Sequence, residues 1–187
     1  VKTEVFIPDR IRDGYGISTN GIDFFIQKKT SLIISLDCGS NDKTTIEYAK
    51  KNGLDVIVID HHEIKNLSNP LSIINPKLSE DNSGLENLCT AGLVFFLIIG
   101  LNRELRKRKF FKGIKEPNIK EYLDLVAIGT ICDLVVLKDI NRLLVKKGLE
   151  FLNLKANRGI NVLKSKLNLK EILTASDLAF YIGPCIN

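Results

Sequence analysis

The chain has 187 residues, 44% of them hydrophobic and 26% charged, which suits one domain or one and a half with a real core and argues against wholesale disorder. The formal net charge of +5 is compatible with a polyanionic partner without requiring one. Four cysteines, Cys38, Cys89, Cys132 and Cys185, stand far apart without a C-x-x-C pair, which argues against a disulfide scaffold or a cysteine zinc site and fits a reducing cytoplasm.

Val1 opens directly in what reads as a strand, and Glu4 to Ile7 is a short strand stopped by Pro8. The charged loop Asp9-Arg10-Ile11-Arg12-Asp13 follows, closing on Gly14-Tyr15-Gly16. Ser18 is placed to cap a helix running to about Lys29. Ser31 to Leu36 reads as a buried strand that delivers Asp37 to the turn Cys38-Gly39-Ser40-Asn41, and Asn41 or Asp42 caps a helix to about Lys51 with Ile46 and Ala49 inward. After Asn52-Gly53, the β-branched run Leu54 to Ile59 reads as a strand buried on both faces, as in a parallel sheet. It ends in Asp60-His61-His62, which contains both histidines of the chain. Asp37 and Asp60 lie one strand-helix-strand step apart. A right-handed crossover therefore puts both acids on the edge of the sheet where open α/β folds bind ligands.

Leu71 to Ile74 is a fourth strand, ended by Asn75-Pro76, and Lys77 to Gly84 is a polar loop. From Leu85 to about Lys109 the pattern is helical. Its apolar part, Leu88 to Leu101, is hydrophobic on all sides and so predicts burial, while Ala91 to Leu101 is about half the length needed to span a bilayer, hence no membrane segment. The basic run from Arg103 to Lys112 reads as a solvated cap complementing the helix dipole, or as a phosphate-facing patch. Ile119 to Asp133 is helical and ends in an acid beside Thr130, Ile131, Leu134 and Val135, where burial would demand a positive partner. Asn141 to Leu154 is an amphipathic helix, and Ile160 to Leu169 and Thr174 to Tyr181 are shorter ones before Gly183-Pro184. The expected fold is α/β, a mostly parallel sheet flanked by helices, with a helical C-terminal segment.

Asp37, Asp60, His61, His62 and Asp133 thus each stand at the end of an apolar element. Three carboxylates and two imidazoles form an oxygen and nitrogen set that Mn²⁺ accepts readily, and a pair of such ions supports phosphoester hydrolysis. Taken singly, each residue is equally readable as a loop histidine or a helix-capping acid.

The residues resemble a known family. Ile59-Asp60-His61-His62 resembles the name-giving motif of the Asp-His-His (DHH) phosphoesterase superfamily. The flanking segments are similar to its RecJ-like single-stranded-DNA exonucleases: Ile7-Pro-Asp-Arg10 with Gly14-Tyr15-Gly16, Leu36-Asp-Cys-Gly39, Ala91-Gly92 after Cys89, Leu123 to Asp133 with Asn141-Arg142, and Ile182-Gly-Pro184 with Ile186-Asn187. The resemblance implies that Asp37 bridges two Mn²⁺ or Mg²⁺ ions and that His61 and Asp133 ligate one of them. His62 would assist as a ligand or steady charge on the phosphate, and Asp60 would orient a histidine. Arg10, Tyr15 and Arg142 become substrate-contact candidates, and the implied reaction is 5′→3′ removal of nucleotides from single-stranded DNA in the cytoplasm, in repair and recombination.

On this reading residues 1–140 form a partial DHH domain without the family's upstream Asp-rich motif, and 141–187 form a helical segment leading toward a second core domain. Cys185 stands where the family carries Arg after Gly-Pro. An inactive separate chain is therefore the expectation. The alternatives are a small-substrate phosphoesterase acting on oligonucleotides or pyrophosphate, and a DNA-binding remnant that holds DNA through the Arg103 to Lys112 run.

Overall fold

The computed structural model describes residues 2–154 and 157–186; Val1, Lys155, Ala156 and Asn187, and with them the expected strand start at Val1 and the end of Ile186-Asn187, lie outside the described residues. The chain divides into two compact units, one ending at Glu86 and the other beginning at Asn87. The boundary expected near residue 140 falls inside the second.

The first unit is α/β. Three parallel strands, β1 (Leu32–Leu36), β2 (Asp55–Ile59) and β3 (Ser72–Ile74), lie in the order β1-β2-β3, with α1 (Thr19–Gln27) before β1 and α2 (Lys43–Lys51) between β1 and β2. Ser18 caps α1 by accepting from Gly21 N at 3.1 Å. The helix stops short of the expected Lys29 because that residue takes a left-handed φ of 56°. Ile33, Val56 and Val58 meet Ile22 of α1, Ile46 and Ala49 of α2, and Leu54 in one core. The expected burial of β2 on both faces holds only in part, with Val56, Val58 and Ile59 buried but Asp55 exposed and Ile57 half-buried, and β1 is buried on one face only. Leu32, Ile34 and Leu36, on its other face, are 43%, 52% and 50% exposed. No strand forms over Glu4 to Ile7 either; Val5 and Ile7 face solvent, and Phe6 packs on Phe24 and Phe25 of α1 with ring centroids 5.4 and 6.3 Å away.

The second unit is helical. It contains α3 (Thr90–Lys107), a 3₁₀ turn (Ile119–Tyr122), α4 (Leu123–Cys132), α5 (Asp139–Leu154), α6 (Arg158–Lys166), α7 (Ala175–Asp177), a π turn (Leu178–Ile182) and α8 (Gly183–Ile186). Ile128 and Ile131 of α4, Val145 and Leu152 of α5, Ile160, Leu173, Leu178 and Ile182 form its core. The expectation that the apolar run of α3 is buried all round fails at its far end, where Ile99 is 37% and Leu101 53% exposed. One side of the helix stays covered there, since Asn102, next to Leu101, is 4% exposed. Among the described residues no helix is long and apolar enough to cross a membrane.

The crossing of α4 and α5 rests on Gly148. A Cβ there would overlap the Leu123 carbonyl oxygen and the Ala127 methyl, and backbone cannot step aside. Gly148→Ala would ordinarily stabilise a helix by about 1 kcal/mol. Here it is expected to destabilise the unit by about 3 kcal/mol, read as a lowered urea midpoint.

Candidate metal centre

Parallel register fixes what emerges at the end of the sheet. Leu36 pairs with Ile59 and Ile59 with Ile74, so Asp37, Asp60 and Asn75, one residue further on, share one edge. The ladder continues through them, with Asp37 N donating to Ile59 O at 2.9 Å and Asp60 N to Ile74 O at 3.0 Å. Asp37 turns the chain with a left-handed φ of 66°, which Asp tolerates better than most residues. Gly39 follows at φ 114°, where a Cβ would also strike Val58. The turn leaves the Asp37 carboxylate 59% exposed, with Oδ1 3.4 Å from Nε2 of the buried His61. Asp37, His61 and His62 each present a ligand atom within 4.8 Å of the others, a carboxylate and two imidazoles that suit a divalent transition ion.

Asp60 lies beneath this cluster, its side chain 2% exposed. Oδ1 accepts from His61 N at 2.8 Å and His62 N at 3.2 Å and lies 2.7 Å from His62 Nδ1, while Oδ2 accepts from Ser40 N at 3.1 Å. Burial pushes its pKa up, but the hydrogen bonds from His62 and Ser40 outweigh that and hold it below the usual carboxylate value. The carboxylate thus stays charged, and His62 Nδ1, 2.7 Å from it, is placed to donate to it. Burial raises the thiol pKa of Cys38, beside Asp37.

The sequence-predicted residues divide accordingly. Asp37, Asp60, His61, His62 and Tyr15 come together in the first unit, with the Tyr15 hydroxyl donating to Asp37 O at 3.0 Å and lying 2.9 Å from His62 Nε2. Arg10 is exposed on the turn that precedes them. Asp133 and Arg142 belong to the second unit, at the C-terminal cap of α4 and on α5. The cost of burying Asp133 does not arise, because the helix ends there and leaves Asp133 exposed and Leu134 85% exposed. Of the six cations from Arg103 to Lys112, three are ion-paired with two carboxylates, Arg106 with Glu116 at 2.8 Å and Arg108 and Lys107 with Glu104 at 3.0 and 3.6 Å, so the run keeps a net positive charge.

Three polar residues that sequence reasoning passed over hold the edge together. Asn75 Nδ2 donates to Ser40 Oγ at 2.9 Å and His62 O at 3.0 Å, both residues being essentially buried. Asn41 Oδ1 accepts from Lys65 N and Asn66 N at 2.7 and 3.0 Å, stapling the loop after His62. The available signal was positional, since Asn75 follows β3 as Asp37 follows β1 and Asp60 follows β2.

Residues 2–130 match the DHH family, N-terminal domain. The chain is 35% identical over 191 residues to the single-stranded-DNA-specific exonuclease RecJ of Dickeya dadantii, an alignment covering 100% of this chain and 33% of that protein. Against RecJ of Escherichia coli it is 36% identical over 189 residues, covering 98% of this chain and 33% of that protein. The crystal structure of an exonuclease RecJ bound to manganese superposes with a TM-score of 0.78 at 31% identity, covering 97% of this chain and 44% of that one. The chain spans about a third of the length of the curated relatives it matches.

Proposed function

The chain belongs to the DHH family, and on that premise we propose that it supplies part of the catalytic core of a metal-dependent 5′→3′ exonuclease acting on single-stranded DNA, in the cytoplasm, in repair and recombination. The observation that carries the proposal is the gathering of Asp37, His61 and His62 on one sheet edge with ligand atoms within 4.8 Å of one another. Mn²⁺ or Mg²⁺ is the proposed cofactor; held there, a divalent cation supplies Lewis-acid neutralisation of a phosphodiester.

The chain's own residues then take distinct roles. Asp37, more than half exposed, and His61, fixed in the interior 3.4 Å from it, would hold the ion. Asp60 orients His62 through Nδ1, so that Nε2 of the neutral ring would act beside the phosphate as a proton acceptor. Asp133 as a further ligand, Arg10 and Arg142 as contacts with the nucleic acid, and a catalytic domain over residues 1–140 rest on the family motifs. The small-substrate alternative differs only in preferring dinucleotides or pyrophosphate.

The test is nucleotide release from 5′-phosphorylated single-stranded DNA in Mn²⁺, by this chain, expected to be inactive by itself, and by a longer polypeptide in which the family's upstream Asp-rich motif precedes it, expected to cut. Release by the longer polypeptide is expected to stop in Asp37→Ala. Equal release from Asp37→Ala and the unsubstituted longer polypeptide would overturn the proposal, and faster turnover of dinucleotides than of long strands would select the alternative.

A further inference from the structure

We infer that Tyr15 is a positioning residue that ties the His62 imidazole to the Asp37 turn, rather than a contact for the nucleic acid. Three independent features place it there. The first is the hydroxyl itself, 2.9 Å from His62 Nε2, 3.1 Å from Nδ1 and 3.0 Å from the Asp37 carbonyl oxygen to which it donates. The second is the ring, which meets the imidazole edge to face with centroids 5.6 Å apart.

The third is the loop that carries it. Gly14 and Gly16 flank Tyr15 with φ of 77° and 98°, a conformation side chains resist. Gly16 also sits against Asp42, whose carboxylate oxygens would lie 2.8 Å from a Cβ at that position and whose Oδ2 accepts from Ile17 N at 2.8 Å. The loop is thereby latched to the start of α2, in the same unit as the cluster. A residue meant to follow a mobile strand of DNA gains nothing from such a latch; one meant to hold an imidazole in register needs it.

The consequence for the site is geometric. Asp60 meets the ring at Nδ1, and the Tyr15 hydroxyl lies 3.1 Å from Nδ1 and 2.9 Å from Nε2, so the ring has two neighbours that limit its rotation. The tyrosine proton has two acceptors within reach, His62 Nε2 and Asp37 O, and it can serve only one at a time. When it is given to Asp37 O, the edge-to-face contact of the two rings is what still holds the imidazole. Tyr15 therefore ties the turn that carries Asp37 to the histidine that works beside it.

This inference rests on the role proposed for His62, and its test has an arm independent of that role. The chain contains two histidines, so long-range ¹H–¹⁵N spectra of ¹⁵N-histidine-labelled protein show two imidazoles. In Tyr15→Phe the His62 ring nitrogens are expected to shift while those of His61 stay in place. Gly16→Ala, which keeps the hydroxyl but forces the loop off Asp42, is expected to move the same His62 signals. Unchanged His62 signals in both variants would overturn the inference whether or not the protein cuts DNA. In the kinetic arm Tyr15→Phe is expected to lower kcat by about 10-fold or more with KM for single-stranded DNA unchanged. A raised KM at constant kcat would instead make Tyr15 a substrate contact and overturn the positioning role.

Discussion

His61→Ala is expected to weaken Mn²⁺ binding by more than the roughly 10–100-fold that loss of a merely orienting residue costs, while His62→Ala weakens it by less than about 10-fold. The two imidazoles are neighbours in sequence and their rings lie 4.6 Å apart, yet their surroundings differ. His61 is buried with Nε2 aimed at Asp37 Oδ1, so its rotamer is set before any ion arrives and binding costs little side-chain entropy. His62 is engaged by Asp60 at Nδ1 and by Tyr15 near Nε2, and would have to give up a partner to ligate. Isothermal titration with Mn²⁺ reads the affinities directly, and nucleotide release should fall in both variants. Equal losses of affinity would mean that both imidazoles ligate and that the division of labour between them is wrong.

Much of this edge is legible in the sequence because two strong local signals coincide. Apolar β-branched runs of strand length predict β1 and β2, and an acid directly after each run predicts where Asp37 and Asp60 emerge once the strands are parallel. The side that each strand buries was less legible. Ile34 and Leu36 look no different from Ile33 as residue types, and only the arrangement of α1 and α2 on one face decides that the first two stay exposed. Asn75 and Ser40 were invisible for a different reason: each acts through a hydrogen bond to a residue distant in sequence, and no periodicity encodes such a partner. Glu4 to Ile7 misled because a short run of strand-favouring residues, Val5, Phe6 and Ile7, shows that a segment can form a strand, whereas a strand forms only where a neighbouring ladder accepts it.

Asp60→Asn, though nearly isosteric, is expected to cost about 3 kcal/mol of folding stability and to degrade the metal centre with it. The reason lies in the identity of the partners. His61 N, His62 N and Ser40 N are all donors, and His62 Nδ1 becomes one when it carries the proton, so both carboxylate oxygens face only hydrogens. An amide supplies one acceptor and one donor, and whichever way it is flipped its NH₂ meets another N–H in a site 2% exposed. With the NH₂ toward Ser40, that backbone donor is left buried and unpaired; with the NH₂ toward His61 and His62, three donors lose their acceptor. The first arrangement costs less, so the variant should fold with the Ser40 turn loosened and with Asn75, bonded to Ser40 Oγ, weakened in its hold on His62 O. Urea unfolding measures the stability loss, and Asn75→Ala provides the scale, since it removes three neutral hydrogen bonds, to Ser40 Oγ, His62 O and Lys77 N, for about 2 kcal/mol. An Asp60→Asn variant no less stable than Asn75→Ala would show that the charge at Asp60 does not organise this edge.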